Sequence, residues 1–339
     1  MLDLRLEGIS YGPLQALDLR FDRNTHTALI GPEGGGKTSI LRVVAGTARP
    51  RAGRVIVGSR DVTAIRAARR PLLYVGPDPL FPLRWSALHW VLAALRTRTL
   101  DREDRMRELE LIREKWGLEP FLERRVRDLS SGERTRLRLA VIEALHPAIL
   151  LTERILEGCP PASARPLADQ LYRTLRVMGT TVISEVAHAA EIGHCDRVVV
   201  IAGGRLEQSG VPQEIYQAPV SPVAAEAIAP CNLLDVRIRN GEAESPIGRW
   251  DVPGMADGNA TAMIRPSAFT LAGQGEDSDL IFGIEEAGFS EGQWHLRGFI
   301  SGGISLEVSL EAADLEIHKG KLLPLRLDFD RIVLFPKKG

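Results

Sequence analysis

The sequence predicts an α/β domain built on a parallel sheet, carrying a helical insertion and followed by an all-β domain. Three observations predict it. Gly31-Pro32-Glu33-Gly34-Gly35-Gly36-Lys37-Thr38 stands between a short apolar strand and a helix. Strand patterns then alternate with helix patterns up to about residue 230, which argues for a parallel sheet covered on both faces. From Asn232 onward helix patterns vanish, and short alternating strands recur between Gly, Pro and Asp turns.

The glycine-rich stretch fits G-x-x-x-x-G-K-[ST], a phosphate-binding P-loop. Thr25 to Ile30 supplies the strand before it. Thr38 to Ala45 supplies the helix after it, with Ile40, Leu41, Val43 and Val44 apolar and Gly46 closing it. Glycines let backbone N–H groups converge on phosphate oxygens where a Cβ would obstruct the curl. The helix N-terminus adds partial positive charge. Lys37 would reach the β/γ-phosphates and Thr38 would ligate Mg²⁺. Gly31, Gly34, Gly35, Gly36, Lys37, Thr38 and Ser39 are therefore candidate nucleotide-binding residues.

With 339 residues the chain is long enough for two or three domains with a sizeable core. Apolar residues make up 44% and charged residues 26%, as expected of a soluble globular protein. A net charge of −1 gives no overall pull toward nucleic acid or an anionic membrane. The charge is uneven, with bases in excess before residue 231 and acids in excess after it. Cys159, Cys195 and Cys231 have no metal or redox spacing and read as reduced cytosolic thiols. The start, Met1-Leu2-Asp3-Leu4-Arg5, is no signal peptide. No apolar run approaches the roughly 18 residues of a membrane span.

In chain order, residues 2–8 and 15–21 read as strands, with Tyr11 in a loop ending Gly12-Pro13. Residues 53–58 and 72–75 are further strands, the second running into Gly76-Pro77-Asp78-Pro79, which cannot be helical. Residues 84–98, 103–116 and 131–146 read as amphipathic helices, so 84–146 forms the helical insertion. Ser130 predicts an N-cap and Glu133 completes a capping box. Strands follow at 148–151, 181–184 and 198–201, with a helix over 163–178 before the second of them. The β-part offers strands at 233–239, 260–265, 279–285, 293–299, 304–310, 321–328 and 331–335, spaced as in a small β-barrel.

With these motifs in place, the chain resembles the ATP-binding subunit of an ATP-binding-cassette (ABC) importer. The closest similarity is to the subfamily of sugar, iron, sulfate and polyamine importers with a C-terminal OB-like (TOBE) domain. The marks are Tyr11, the P-loop with Leu41-Arg42-Val43-Val44-Ala45-Gly46, Leu80-Phe81-Pro82, Leu129-Ser130-Ser131-Gly132-Glu133, Gly204 to Pro212 with Glu214-Ile215-Tyr216, and Ile264-Arg265-Pro266. The resemblance covers essentially the whole chain. It implies an α/β P-loop NTPase of the ABC type over 1–230 and an OB-like β-barrel regulatory domain over 231–339. Tyr11 would stack on adenine, and ATP with Mg²⁺ would be the cofactors. Two nucleotide domains would sandwich two ATPs head to tail. Ser130, Ser131, Gly132 and Glu133 would form the signature loop that grips the partner's ATP, although a helix cap alone also accounts for Ser130. The implied partners are membrane permease subunits, a second ATP-binding subunit and, indirectly, a substrate-binding protein. The implied location is cytoplasmic, peripheral on the inner face of the cell membrane. Leu80, Phe81, Pro82 and the helix at 84–98 are the candidate dock for the membrane subunit, while Trp85 and Trp90 read as core packing.

The chain departs from the family where hydrolysis is performed. In the ungapped register Glu153 falls on the Mg²⁺-associated aspartate and Arg154 on the catalytic glutamate. Arg154 has no proton-accepting site and is better suited to pairing with the γ-phosphate. The Q-loop glutamine corresponds to Pro77, or to Gly76 with the gap shifted. Val186 falls on the switch histidine, with His188 two residues away. The D-loop expected near Leu156-Glu157-Gly158-Cys159-Pro160 is unrecognisable. A rival register, with one deletion, makes Glu153 the catalytic base. The primary reading is a degenerate subunit that binds ATP, hydrolyses it poorly and pairs with an intact ATPase. Its rivals are a self-sufficient homodimeric importer ATPase using Glu153, and a non-catalytic regulatory or scaffold protein. The transported substrate is not legible.

Overall fold

Alternation of apolar and polar residues builds the first two strands. β1 (Leu4–Tyr11) buries Leu4, Leu6 and Ile9, and β2 (Leu14–Phe21) buries Leu14, Leu17, Leu19 and Phe21. β3 (His26–Ile30) is buried at every residue, the pattern of a strand covered on both faces. These elements come from a computed structural model, which describes residues 3–337 except 77–78, 158, 160, 187–188, 274–276, 291 and 312–315.

The chain continues through α1 (Lys37–Ala45), β4 (Ala52–Val57), β5 (Arg60–Asp61) and β6 (Leu73–Val75). Next come α2 (Ala87–Leu95), α3 (Arg102–Lys115), α4 (Ser131–Leu145), β7 (Ile149–Glu153) and α5 (Pro161–Val177). The first part closes with β8 (Thr181–Glu185), α6 (Ala189–Ile192), β9 (Arg197–Ala202), β10 (Arg205–Gly210) and α7 (Pro212–Gln217). A four-stranded antiparallel sheet has the order β2-β1-β4-β5. A six-stranded sheet has the order β10-β9-β3-β8-β7-β6, parallel from β9 to β6 with β10 antiparallel at its edge. The parallel sheet expected from the alternation of strands and helices is therefore present. The order separates β7 from β3 by one strand, β8, and that spacing positions the site.

The expected insertion is helical. α2, α3 and α4 share one core containing Trp90, Leu95, Ile112, Trp116 and Leu137. Trp90 is 4% exposed and its indole N–H donates to the Pro82 carbonyl at 3.1 Å, so it is core, as expected. Trp85 is partly buried and stacks on Phe81, with ring centroids 6.0 Å apart.

The described chain divides into compact units at Met1–Ile215 and Tyr216–Gly339. In the second, α8 (Pro222–Ile228) precedes β11 (Asn232–Arg239), β12 (Glu242–Ser245), β13 (Gly248–Asp251), β14 (Gly258–Ile264) and β15 (Phe269–Leu271). β16 (Leu280–Ser290), β17 (Gln293–Ile300), β18 (Ile304–Glu311), β19 (Leu322–Leu327) and β20 (Val333–Pro336) complete it. They form two five-stranded antiparallel sheets, β13-β12-β11-β14-β20 and β15-β19-β16-β17-β18. Arg265, just after β14, is 3% exposed and donates to the carbonyls of Tyr216, Ala225, Ala229 and Pro230. It also lies 4.4 Å from the Tyr216 ring. The Ile264-Arg265-Pro266 motif thus staples the segment through 216–230 onto its own sheet. Among the described residues no helix is long and apolar enough to cross a membrane.

Candidate functional site: the loop between β3 and α1

The β3–α1 loop is pressed between β9 and the β1–β2 hairpin, and its glycines follow from that. Gly31 has φ +132°, and a Cβ there would sit 2.1 Å from the Ile201 carbonyl oxygen. Gly36 caps α1 at φ +115°, and a Cβ there would meet Leu14 Cδ2 at 2.6 Å. Only glycine fits either place. Gly34, Gly36, Lys37, Thr38 and Ser39 line a cleft of about 330 Å³, together with Pro13, Glu33, Arg154 and Glu185. The expected phosphate-binding residues are thereby brought together at the N-terminus of α1. Gly31 and Gly35 shape the loop behind them. Tyr11 ends β1, packs partly against the hydrophobic core and is not among the residues lining this cleft.

Lys37 Nζ donates to the carbonyls of Gly31 and Pro32, both at 2.9 Å, which holds the ammonium across the loop. The Thr38 hydroxyl donates to Glu185 Oε2 at 2.7 Å. Arg154 brings a second cation to the same cleft. Its φ is +45°, its backbone N–H donates to the Glu185 carbonyl at 2.7 Å, and its guanidinium pairs with Glu157 at 3.1 Å. Two cations at the N-terminus of α1 suit a polyphosphate.

Glu153 and Glu185 are direct partners at the ends of the parallel pair β7–β8. Both reach α1, one turn apart. Glu185 meets Thr38, whereas Glu153 Oε1 accepts from the Tyr74 hydroxyl at 2.5 Å and lies 3.8 Å from Arg42 Nε. Burial and then the Glu153 carboxylate push the Tyr74 phenol well above its ordinary pKa. A Cβ at Gly76 would stand 2.8 Å from the Tyr74 hydroxyl. Val186 follows β8 and is half-buried. Pro77, Gly158, Pro160 and His188 lie outside the described residues.

Residues 14–153 match the family described as ABC transporter. The sn-glycerol-3-phosphate import ATP-binding protein UgpC of Rhizobium meliloti is 30% identical over 248 residues, 72% of this chain and 70% of its own. The Fe(3+) ions import ATP-binding protein FbpC of Streptomyces avermitilis is 30% identical over 282 residues, 80% of each chain. This chain belongs to the ABC transporter family. Its place there is among the import ATP-binding proteins. The sulfate/thiosulfate import ATP-binding protein CysA of Caulobacter vibrioides is 29% identical over 320 residues, covering 91% of this ABC chain and 92% of its own length. A nucleotide-free ATP-binding cassette from an ABC transporter superposes with TM-score 0.55 at 19% identity, over 67% of this chain and 98% of its own. A dimeric cassette in a post-hydrolysis state with ADP and Pi gives TM-score 0.54 at 18% identity, over 61% and 98%. At those identities the likeness is one of fold.

In this ABC protein the second candidate element, Ser130-Ser131-Gly132-Glu133, stands at the N-terminus of α4, and none of the four lines the P-loop cleft. The expected capping box is formed. Ser130 Oγ accepts from the Glu133 N–H at 3.3 Å, and Glu133 Oε2 accepts from the Ser130 N–H at 2.7 Å. Glu133 also pairs with Arg124 at 2.9 Å. The Ser130 N–H, above all, holds the Glu133 carboxyl below the usual range. Sequence reasoning missed Glu185. The available signal was a charged residue ending an apolar strand, at the carboxyl edge of the sheet where α/β folds bind ligands.

Proposed function

We propose that this ABC chain is an importer subunit that binds ATP with Mg²⁺ at its own P-loop, hydrolyses it slowly there, and pairs with an intact ATP-binding subunit. The observation that carries the reading is Arg154 lining the cleft directly after β7. The family places there a carboxylate that activates water, and a guanidinium has no lone pair with which to accept the proton. It is suited instead to hold the γ-phosphate in the ground state. The cofactors fit what is present. The loop curls tightly at the N-terminus of α1 because Gly31 and Gly36 leave no room for a Cβ against Ile201 and Leu14, and the Thr38 hydroxyl lining the cleft is the kind of hard oxygen that Mg²⁺ prefers. Bound ATP would supply the free energy that closes two subunits on one another. Within that assembly Ser130 and the amides at the start of α4 would face the partner's phosphate, with Glu133 neutralised by Arg124.

The relatives' names cover a phosphate ester, inorganic oxyanions and ferric ions, so the proposed cargo class is a small charged solute. Leu80, Phe81 and Pro82, with the 43%-exposed Leu83 beside them, are the proposed dock for a membrane permease subunit. That contact would place the chain on the inner face of the membrane. Residues 231–339 are proposed as the OB-like regulatory domain. A groove of about 750 Å³ in the second unit, with Glu286, His295, Arg297 and Glu307 on its lining, is where a ligand would be read.

ATP binding and turnover of the purified chain test this reading. Wild type is expected to bind ATP and turn it over near background, and Lys37→Ala is expected to abolish binding. Sustained turnover by the chain alone would sink the proposal.

A further inference from the structure

We propose that Glu185, at the end of β8, is the carboxylate that positions the divalent cation of this P-loop, in place of the residue on β7 that sequence register nominates. The inference rests on the reading of the cleft as a nucleotide site and concerns which side chain serves its metal.

Four observations carry it. The Thr38 hydroxyl, the P-loop oxygen that meets a cation, already donates to Glu185 Oε2 at 2.7 Å. Its proton is thereby directed at the carboxylate, leaving the oxygen lone pairs available to a metal. Glu185 is 9% exposed. A carboxylate so buried requires a counter-charge or several hydrogen bonds, yet among the described residues no lysine or arginine forms an ion pair with it. A divalent cation between Thr38 and the phosphates would supply that charge. Glu153, the register's candidate, meets Tyr74 and Arg42 one turn further along α1. Finally, the sheet order β3-β8-β7 puts the end of β8 beside the loop and the end of β7 one strand away. Glu185 would accept from the Thr38 hydroxyl or from a water on the metal. That is a positioning role, and such partners commonly set metal affinity within 10–100-fold.

The test is Mg²⁺ dependence of nucleotide binding rather than turnover. A fluorescent ATP analogue is titrated into wild type, Glu185→Gln and Glu153→Gln, in EDTA and then at rising Mg²⁺. The expected result for Glu185→Gln is retained binding in EDTA and a Mg²⁺ midpoint raised about tenfold or more. Glu153→Gln is expected to stay within about threefold of wild type, a shift too small to place it among such metal partners. Mn²⁺ bound with ATP should show the same order of affinities by electron paramagnetic resonance. A wild-type midpoint in Glu185→Gln, or a large shift in Glu153→Gln alone, overturns the assignment. Should the glutamine variant misfold, Glu185→Asp, which withdraws the carboxylate by one methylene, is read the same way. An unchanged Mg²⁺ midpoint there also overturns it. Wild type that binds no nucleotide in either condition would remove the nucleotide reading itself, and the inference with it.

Discussion

One guanidinium closes the far end of the P-loop helix. α1 leaves carbonyls unsatisfied in its last turn, as every helix does. Gly46, in the left-handed region at φ +78°, returns its N–H to Arg42 and Val43. Arg70 is 6% exposed and donates to the carbonyls of Val43 at 2.7 Å and Val44 at 2.6 Å, and also to Ile65 and Thr63. Burial lowers its pKa, but a guanidinium stays charged. Arg70→Met keeps most of the volume and strands these acceptors, at roughly 1–3 kcal/mol for each that stays buried and unpaired. The expected outcome in urea unfolding is a lower midpoint with an unchanged slope. A midpoint equal to wild type would mean that water replaces the guanidinium without loss. Lysine is expected to rescue only in part, because it lacks the fork that serves two carbonyls at once.

Among the elements, α4 shows how one device can serve both folding and binding. Its capping box satisfies two backbone donors at the first turn and leaves the other first-turn amides without a partner inside the helix, as at any helix N-terminus. Ser130→Ala should cost about 1 kcal/mol of unfolding free energy. Glu133→Gln preserves the reciprocal bond, since glutamine serves equally in this box. It removes the ion pair with Arg124, worth less than about 1 kcal/mol at this exposure, and the extra strength that the ionised carboxylate gives the bond from the Ser130 N–H. The two variants should therefore separate in thermal melts, serine being the more damaging. A larger loss from glutamine would show that charge, and not the box, steadies the helix. The strands β7 and β8 make a related point. Their register sets Glu153 and Glu185 side by side, yet α1 offers them different partners, a hydroxyl at Thr38 and a guanidinium at Arg42.

For the whole molecule, the proposed function predicts asymmetry. An ABC chain with Arg154 in its cleft and an intact cap on α4 is expected to gain turnover when mixed with an ATP-binding subunit that carries the usual catalytic glutamate. Steady-state hydrolysis of the mixture should depend on the partner's glutamate. It should fall when Ser130 of this chain is replaced by a bulky residue such as tryptophan, with binding at the P-loop of this chain retained. Equal hydrolysis in the absence of any partner would contradict the asymmetric arrangement.

Much of this architecture is written in local pattern. The P-loop is contiguous, so its eight residues carry their geometry with them. β3, β7 and β9 are short apolar runs between turns, and the capping box spans only four positions. Each depends on neighbours in sequence, where periodicity and cap chemistry act. The two-residue β5, the hairpin β12–β13 and the partition of the second unit into two five-stranded sheets were not legible, because strand pairing is settled by non-local hydrogen bonds. The same holds inside the site. Motif register nominated Glu153 for the metal by its place after an apolar strand, and Glu185 drew no notice in Thr181-Val182-Ile183-Ser184-Glu185. Residues 38 and 185 meet only because β8 inserts between β3 and β7. Which carboxylate stands against a hydroxyl is a matter of sheet order, and sheet order exists only once the chain has folded.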